Sequence, residues 1–278
     1  MQQQTGLALA SYDNGLGIVF FDKRSQVQST QVYGFRRWGS ISRDGIEIAA
    51  SHFVSREGLS LEFVRLDGSN LREYPDVHPH DICWSYNKSK LAITDHRRSP
   101  DAALEVVDLG GNVTAEIDPR AKLTTQCWSP DDKKIVYEAG DSVRVYEIGE
   151  DKSTVLVLAQ GTDPTWSPDG SWIAFLDHDT YYAIRPNGDE RKRLFHSSVA
   201  ISPLYWSPDS RIVAYVSQER FFEGGWRAID ADNYKLRVRR LDDNAEDWVA
   251  EGTIPGRHLQ WVTNPKLLEQ VKSGATSH

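Results

Sequence analysis

Short apolar runs recur along the chain at intervals that Gly, Pro, Asn and Asp punctuate, and their alternation of apolar and polar positions predicts β-strands. The pattern is clearest after a repeated aromatic. Taking Ile41, Trp84, Trp128, Trp166, Trp206 and Trp261 as landmarks, the seventh residue onward is Ile48, Leu91, Ile135, Ile173, Val213 or Leu268, aliphatic in every case. The next position holds Ala49, Ala92, Val136, Ala174 and Ala214, small enough for neighbouring sheets to approach closely, and breaks only at Glu269. One unit reads as an inner strand ending at Trp166, a second strand Trp172-Ile-Ala-Phe-Leu, a third Tyr181-Tyr-Ala-Ile and an outer Arg191-Lys-Arg-Leu-Phe.

The landmarks stand 43, 44, 38, 40 and 55 residues apart. That spacing is a propeller-blade period, one four-stranded sheet per repeat. The expected fold is all-β, a six-bladed β-propeller of four-stranded antiparallel blades. Five blades lie within the chain, and the sixth is split between its ends. Leu7-Ala-Leu-Ala-Ser, Ile18-Val-Phe-Phe and Val27-Gln-Ser-Thr-Gln-Val supply its second, third and fourth strands, and His258-Leu-Gln-Trp-Val its inner one. Pairing of the N- and C-terminal strands would close the ring and remove its open seam. Leu267-Leu-Glu-Gln-Val competes with the N-terminal strand for the same slot. Residues 1–266 read as one propeller domain and 267–278 as a C-terminal tail.

The phrase that carries the repeat is Cys127-Trp-Ser-Pro-Asp-Asp, Thr165-Trp-Ser-Pro-Asp-Gly and Tyr205-Trp-Ser-Pro-Asp-Ser, with looser copies at Ser40, Cys83 and Gln260. Followed by an Ile-Ala-Phe-like strand, it resembles the TolB-type propeller repeat, over roughly residues 7–263. The same repeat occurs in the propellers of prolyl-oligopeptidase-like peptidases. The resemblance implies the fold. Proteins of that group include periplasmic partners of envelope lipoproteins, peptidase gating domains and polysaccharide-processing enzymes. The small N-terminal domain of TolB has no counterpart in this sequence.

Strand order puts the loops between second and third strands, and those between one blade and the next, on one face. The short Ser-Pro-Asp-Gly and Leu-Asp-Gly turns occupy the other and offer little chemistry. Varied loops are where binding residues concentrate. On the loop face fall His52, His96 and His178, each after a second strand, with Asp177 beside His178 and Arg97 and Arg98 after His96. The longest interruption of the repeat is there too, with Phe221, Phe222 and Trp226 around Gly224-Gly225. Aromatic rings bury large areas with few rotors, which suits a partner-binding element.

No Gly-x-Ser-x-Gly elbow, His-Glu-x-x-His pair, Gly-rich phosphate loop or Cys-x-x-Cys pair occurs, which leans against an enzyme. The expected function is a non-catalytic binding module that docks a protein or peptide on its loop-rich face through Phe221, Phe222, Trp226, Arg97 and Arg98, with no cofactor. The alternative is a metal-assisted lyase or hydrolase acting on a polysaccharide, with a divalent metal held by His52, His96, His178 and Asp177. A net charge of −8 argues against nucleic acid, and no apolar stretch suits membrane insertion. Arg191-Lys-Arg193 and Arg237, Arg239 and Arg240 read as solvated strand faces.

Cys83 and Cys127 precede landmark tryptophans in adjacent repeats, where a separation beyond the roughly 7 Å Cα limit for a disulfide is expected. They read as small buried thiols. The start, Met-Gln-Gln-Gln-Thr-Gly, has no basic or apolar leader, so the expected location is cytoplasmic, or periplasmic or secreted if a signal sequence has been removed.

Overall fold

A serine makes the turn in five of the six repeats. Ser42, Ser85, Ser129, Ser167 and Ser207 each accept, at Oγ, the backbone N–H five residues on, from Glu47, Lys90, Lys134, Trp172 and Ile212 at 2.8–3.1 Å. Each hydroxyl donates to the carboxylate or amide oxygen two residues on, at Asp44, Asn87, Asp131, Asp169 or Asp209. The fourth turn residue, Gly45, Lys88, Asp132, Gly170 or Ser210, takes a left-handed φ of 58–71°. Glycine does so without strain, and the other three are held by the surrounding bonds. Pro130, Pro168 and Pro208 fit the second turn position because its fixed φ is the one required there. The repeated phrase is thus a turn that reverses an inner strand into a second one.

The computed structural model describes residues 6–11, 15–21, 27–33, 39–54, 58–65, 72–95, 103–150, 152–158, 161–197, 203–218, 221–223, 226–228, 234–241, 248–249 and 258–262. Strands β1 (Gly6–Ser11), β2 (Gly15–Phe21) and β3 (Val27–Tyr33) form a meander. The next sheet is β4 (Gly39–Ile41), β5 (Glu47–Val54), β6 (Gly58–Arg65) and β7 (Arg72–Tyr74). It is followed by β8 (Pro79–Trp84), β9 (Lys90–Asp95), β10 (Ala103–Asp108) and β11 (Val113–Asp118). Strands β12 (Lys134–Ala139), β13 (Ser142–Glu147) and β14 (Lys152–Leu158) make a three-stranded sheet. Then come β15 (Gly161–Trp166), β16 (Ile173–Asp177), β17 (Thr180–Ile184) and β18 (Arg191–His196). The last internal sheet joins β19 (Tyr205–Trp206) and β20 (Ile212–Gln218) to β23 (Tyr234–Arg240) and β24 (Trp248–Val249). Between β20 and β23, β21 (Phe221–Glu223) and β22 (Trp226–Ala228) form a hairpin. Strand β25 (His258–Val262) pairs antiparallel with β1, Leu7 opposite Trp261 and Ala10 opposite His258. The N-terminal segment therefore fills the slot beside β25, and 267–271 lie outside the described residues.

Five of these sheets have four strands, which corrects the expectation of six equal four-stranded blades. The exception is β12–β14. The segment before it bridges β12 at two isolated places, Lys122 to Glu138 and Trp128 to Ile135. Six residue steps on one side face three on the other, so Leu123 to Cys127 bulge from the ladder and no inner strand forms. The inner strands β8 and β15 carry milder bulges at the same level.

Neighbouring sheets pack face to face. Leu61, Phe63 and Ala49 of one meet Ile82, Trp84, Leu91 and Ile93 of the next, and Tyr181 and Phe195 meet Tyr215 with ring centroids 5.4–5.6 Å apart. Ala49, Ala92, Val136, Ala174 and Ala214 are fully buried, as the small-residue pattern requires. Strand β1 touches β4, and β25 touches β19. This is an all-β propeller.

Cys83 and Cys127 correct a second expectation. They form a disulfide, with Cα atoms 6.1 Å apart. Inner strands converge toward the propeller axis, so equivalent positions on adjacent sheets come within bonding range there although they diverge farther out.

Candidate functional site

The inner strands are tied to one another by landmark tryptophans. Indole Nε1 of Trp84 donates to the Ser40 carbonyl, Trp128 to Cys83 and Trp261 to Tyr205, at 2.8–3.1 Å, always to the residue before the preceding landmark. The indoles of Trp166 and Trp206 are buried without such a bond among the described residues. There Gln126 provides the link. Its carbonyl accepts Trp166 N–H at 3.0 Å, its side-chain oxygen accepts Trp206 N–H at 3.0 Å, and its amide nitrogen donates to Trp206 O at 3.3 Å. One glutamine thus reaches two sheets onward along the chain.

A cleft opens on the turn face over Gln126, walled by Trp84, Trp128, Trp206 and Trp261 and rimmed by Arg43, Tyr86, Pro168 and Pro208. The rim residues follow the turn serines, so the repeat itself builds the funnel. The Arg43 guanidinium lies 4.2 Å from the centre of the Tyr86 ring. Burial pushes the Tyr86 hydroxyl above the ordinary tyrosine range, with Arg43 acting in the opposite direction. Sequence reasoning assigned this face little chemistry. The signal available was the run of unlike residues, Arg43 and Tyr86 against proline, at one turn position.

On the loop face, Asp81, Glu138 and Asp163 gather round Lys122. Its ammonium donates to Glu138 at 2.9 Å, and that bond, aided by the charges of all three acids, raises the Lys122 pKa. Asp81 also accepts from Leu123 N–H, and Glu138 from Asp163 N–H, so these acids bind three successive sheets together.

The histidines singled out from sequence part company. His52 on β5 lies 2.8 Å, Nδ1 to Oε1, from Glu62 on β6. Together with Glu73 on β7 they place three potential ligand atoms within 4.8 Å of one another. His178, at a left-handed φ of 56°, contacts Asp177 at 2.9 Å, and Asp177 also accepts from Arg191 at 2.9 Å. Partial burial pulls the Asp177 carboxyl upward, but the bonds from His178 and Arg191 hold it below the usual carboxylate range. His52 and His178 therefore have separate partners on separate sheets. His96, Arg97 and Arg98 lie outside the described residues. Phe221, Phe222 and Trp226 fall on the β21–β22 hairpin, where Phe222 is opposite Arg227 and Glu223 opposite Trp226.

The architecture defines the class of protein, a β-propeller, and comparison with solved structures agrees. The putative TolB from Agrobacterium tumefaciens matches with a TM-score of 0.64 and 17 % identity, over 93 % of this chain and 92 % of that one. TolB from Acinetobacter baumannii matches with a TM-score of 0.70 and 15 % identity, over 93 % of this chain and 66 % of that one. A chain of the nidogen/laminin complex matches with a TM-score of 0.66 and 11 % identity, over 94 % and 99 %. At these identities the likeness concerns the fold. No protein-family model and no curated protein matches the chain.

Proposed function

We propose that this chain is a protein-binding propeller whose loop face docks a protein or peptide partner. The observation that carries the reading is the β21–β22 hairpin. It is an insertion between a second and a third strand, on the loop face, and among the described residues its strands pair only with each other. The hairpin adds nothing to the ladder of its blade, and it carries three aromatic residues, Phe221, Phe222 and Trp226. The acidic group around Lys122 on the same face favours a partner segment that carries basic side chains. The TolB and nidogen/laminin structures support the reading as propellers, the latter solved in a complex.

Two finer features belong to the same proposal. The sheet β12–β14, with the bulged segment that precedes it, counts as the sixth blade, and the β1–β25 pair closes the ring. The Cys83–Cys127 disulfide favours an oxidising compartment, periplasmic or extracellular, over the cytoplasm expected from the sequence start.

The test is quantitative affinity capture from an extract of the source cell, using the native protein and a Phe221→Ala, Phe222→Ala, Trp226→Ala variant, with thermal melts of both. A protein captured by the native chain, lost by the variant at unchanged Tm and reconstituted as a purified pair supports the reading. Equal capture by both would move the interface off the hairpin, and a lowered Tm would make the aromatics structural.

A further inference from the structure

We propose that His52, Glu62 and Glu73 form a binding site for one divalent transition-metal ion of the zinc type. The three residues stand on consecutive antiparallel strands. His52 on β5 pairs with Ser60 on β6, and Glu62, two residues on along β6, pairs with Glu73 on β7. Side chains two apart on a strand share a face, so register alone places all three together. Leu61 and Phe63 point the other way, into the core shared with β8–β11.

The spacing within the group suits coordination of one ion. Nδ1 of His52 is buried and only 2.8 Å from Glu62 Oε1, yet the contact lacks the alignment of a hydrogen bond. Two donors on one tetrahedral zinc ion, each at about 2.1 Å, sit about 3.4 Å apart, with no hydrogen between them. The Glu62 and Glu73 oxygens complete a set within 4.8 Å, which small side-chain rotations contract to that spacing. Two carboxylates this close repel each other, and a dication between them removes the repulsion. Glu62 is largely buried, so solvent does little to screen that repulsion.

Around the set, the Ser60 hydroxyl donates to Glu73 Oε1 at 2.8 Å, an outer contact of the kind that fixes a ligating carboxylate. One imidazole nitrogen with two carboxylates suits zinc, manganese or iron(II) better than magnesium, whose usual ligands are all oxygen. The His52 side chain is 37 % exposed, which leaves a path for the ion and room for water as a further ligand. Bound there, the metal would pin β5, β6 and β7 to one another.

The experiment is zinc titration of the chelator-treated full chain by calorimetry, paired with melting curves, for the native protein and for His52→Ala, Glu73→Gln and His178→Ala. One equivalent of zinc bound, a raised Tm on binding, at least a tenfold loss of affinity in His52→Ala and Glu73→Gln, and no loss in His178→Ala would be the expected result. Glu73 is exposed, so its variant is expected to fold and separates a lost ligand from a lost fold. Absence of zinc binding at 0.1 mM, binding unchanged in both His52→Ala and Glu73→Gln, or magnesium binding that survives His52→Ala would each overturn the proposal. None of these outcomes depends on a partner protein, so the site and the docking face stand or fall separately.

Discussion

Removing the Cys83–Cys127 bridge is the sharpest perturbation the structure offers. The cysteines are 44 residues apart in sequence, and in the chain-entropy model closing a loop of that length restricts the unfolded state by about 13 cal/mol/K, or about 4 kcal/mol at 25 °C. Both residues are fully buried, so Cys83→Ala with Cys127→Ala also removes the sulfur atoms from a packed site that holds Trp128, Ile135 and Tyr137. The Cys127 N–H, which donates to Cys83 Sγ at 2.9 Å, loses its acceptor as well. The expected loss is therefore at least about 4 kcal/mol, which for a chain of this size lowers Tm by roughly 7 °C or more. The assay is urea unfolding of the oxidised native protein, the reduced native protein and the double variant, with thiol titration of the native protein unfolded without reductant. Thiols should be undetectable, and reduction should bring the native curve close to that of the variant. Two titratable thiols in the unreduced protein, or a stability change below about 1 kcal/mol, would refute the reasoning.

Gln126→Leu leaves the buried N–H and C=O of Trp206 without their partner and is expected to cost about 2–4 kcal/mol, read as a shift in the urea midpoint. Gln126→Glu, which keeps an acceptor for the N–H but sets a carboxylate against the carbonyl, should be no better. The turn aspartates make stability acid-sensitive. Burial is the largest influence on Asp44, Asp169 and Asp209 and acts upward, but bonds from the turn serines and backbone, with Lys88 at Asp44, outweigh it; at Asp131 the Ser129 bond itself dominates. All four are held below the ordinary carboxylate range, so the folded state binds fewer protons than the unfolded one in acid. Their contribution is present above about pH 4, the unfolded value, and is lost as pH falls through the lower folded values. Urea midpoints from pH 7 to pH 3 should fall less steeply for Asp131→Asn with Asp209→Asn than for the native chain, and parallel curves would remove the turn carboxylates from the account.

What could be read in advance depended on whether a feature is local. The Ser-Pro-Asp turn is written in six consecutive residues, and the strand after it shows the burial its aliphatic and small positions imply, from Ile48 and Ala49 to Val213 and Ala214. The disulfide was not legible, because its Cα separation depends on how tightly inner strands converge, a property of the assembled sheets. His52 was legible as a loop-face histidine, but its association with Glu62 and Glu73 needs the register of β5 on β6, set across a connection whose sequence has no standard turn signal. Gln126 carries no sequence signal because the segment around it departs from the strand pattern of the repeat.

That departure explains where the strongest cross-links sit. Between Lys122 and Trp128 the inner edge of β12–β14 loses the ladder bonds its counterparts keep, and the backbone groups set free must be satisfied another way. They are: Leu123 N–H donates to Asp81, Cys127 N–H to Cys83 sulfur, and the Gln126 carbonyl accepts Trp166 N–H. The side chains of the same five residues add the disulfide, the Gln126 pair with Trp206 and the Thr124 hydroxyl bond to Pro164 O at 2.8 Å. Bonds that elsewhere run within one sheet run here to the sheets on either side. Among the described residues, the sheet with the weakest inner edge is thereby fastened to both of its neighbours, and substitutions at Leu123 to Cys127 should disturb several sheets at once where the same change at an ordinary inner strand would disturb one.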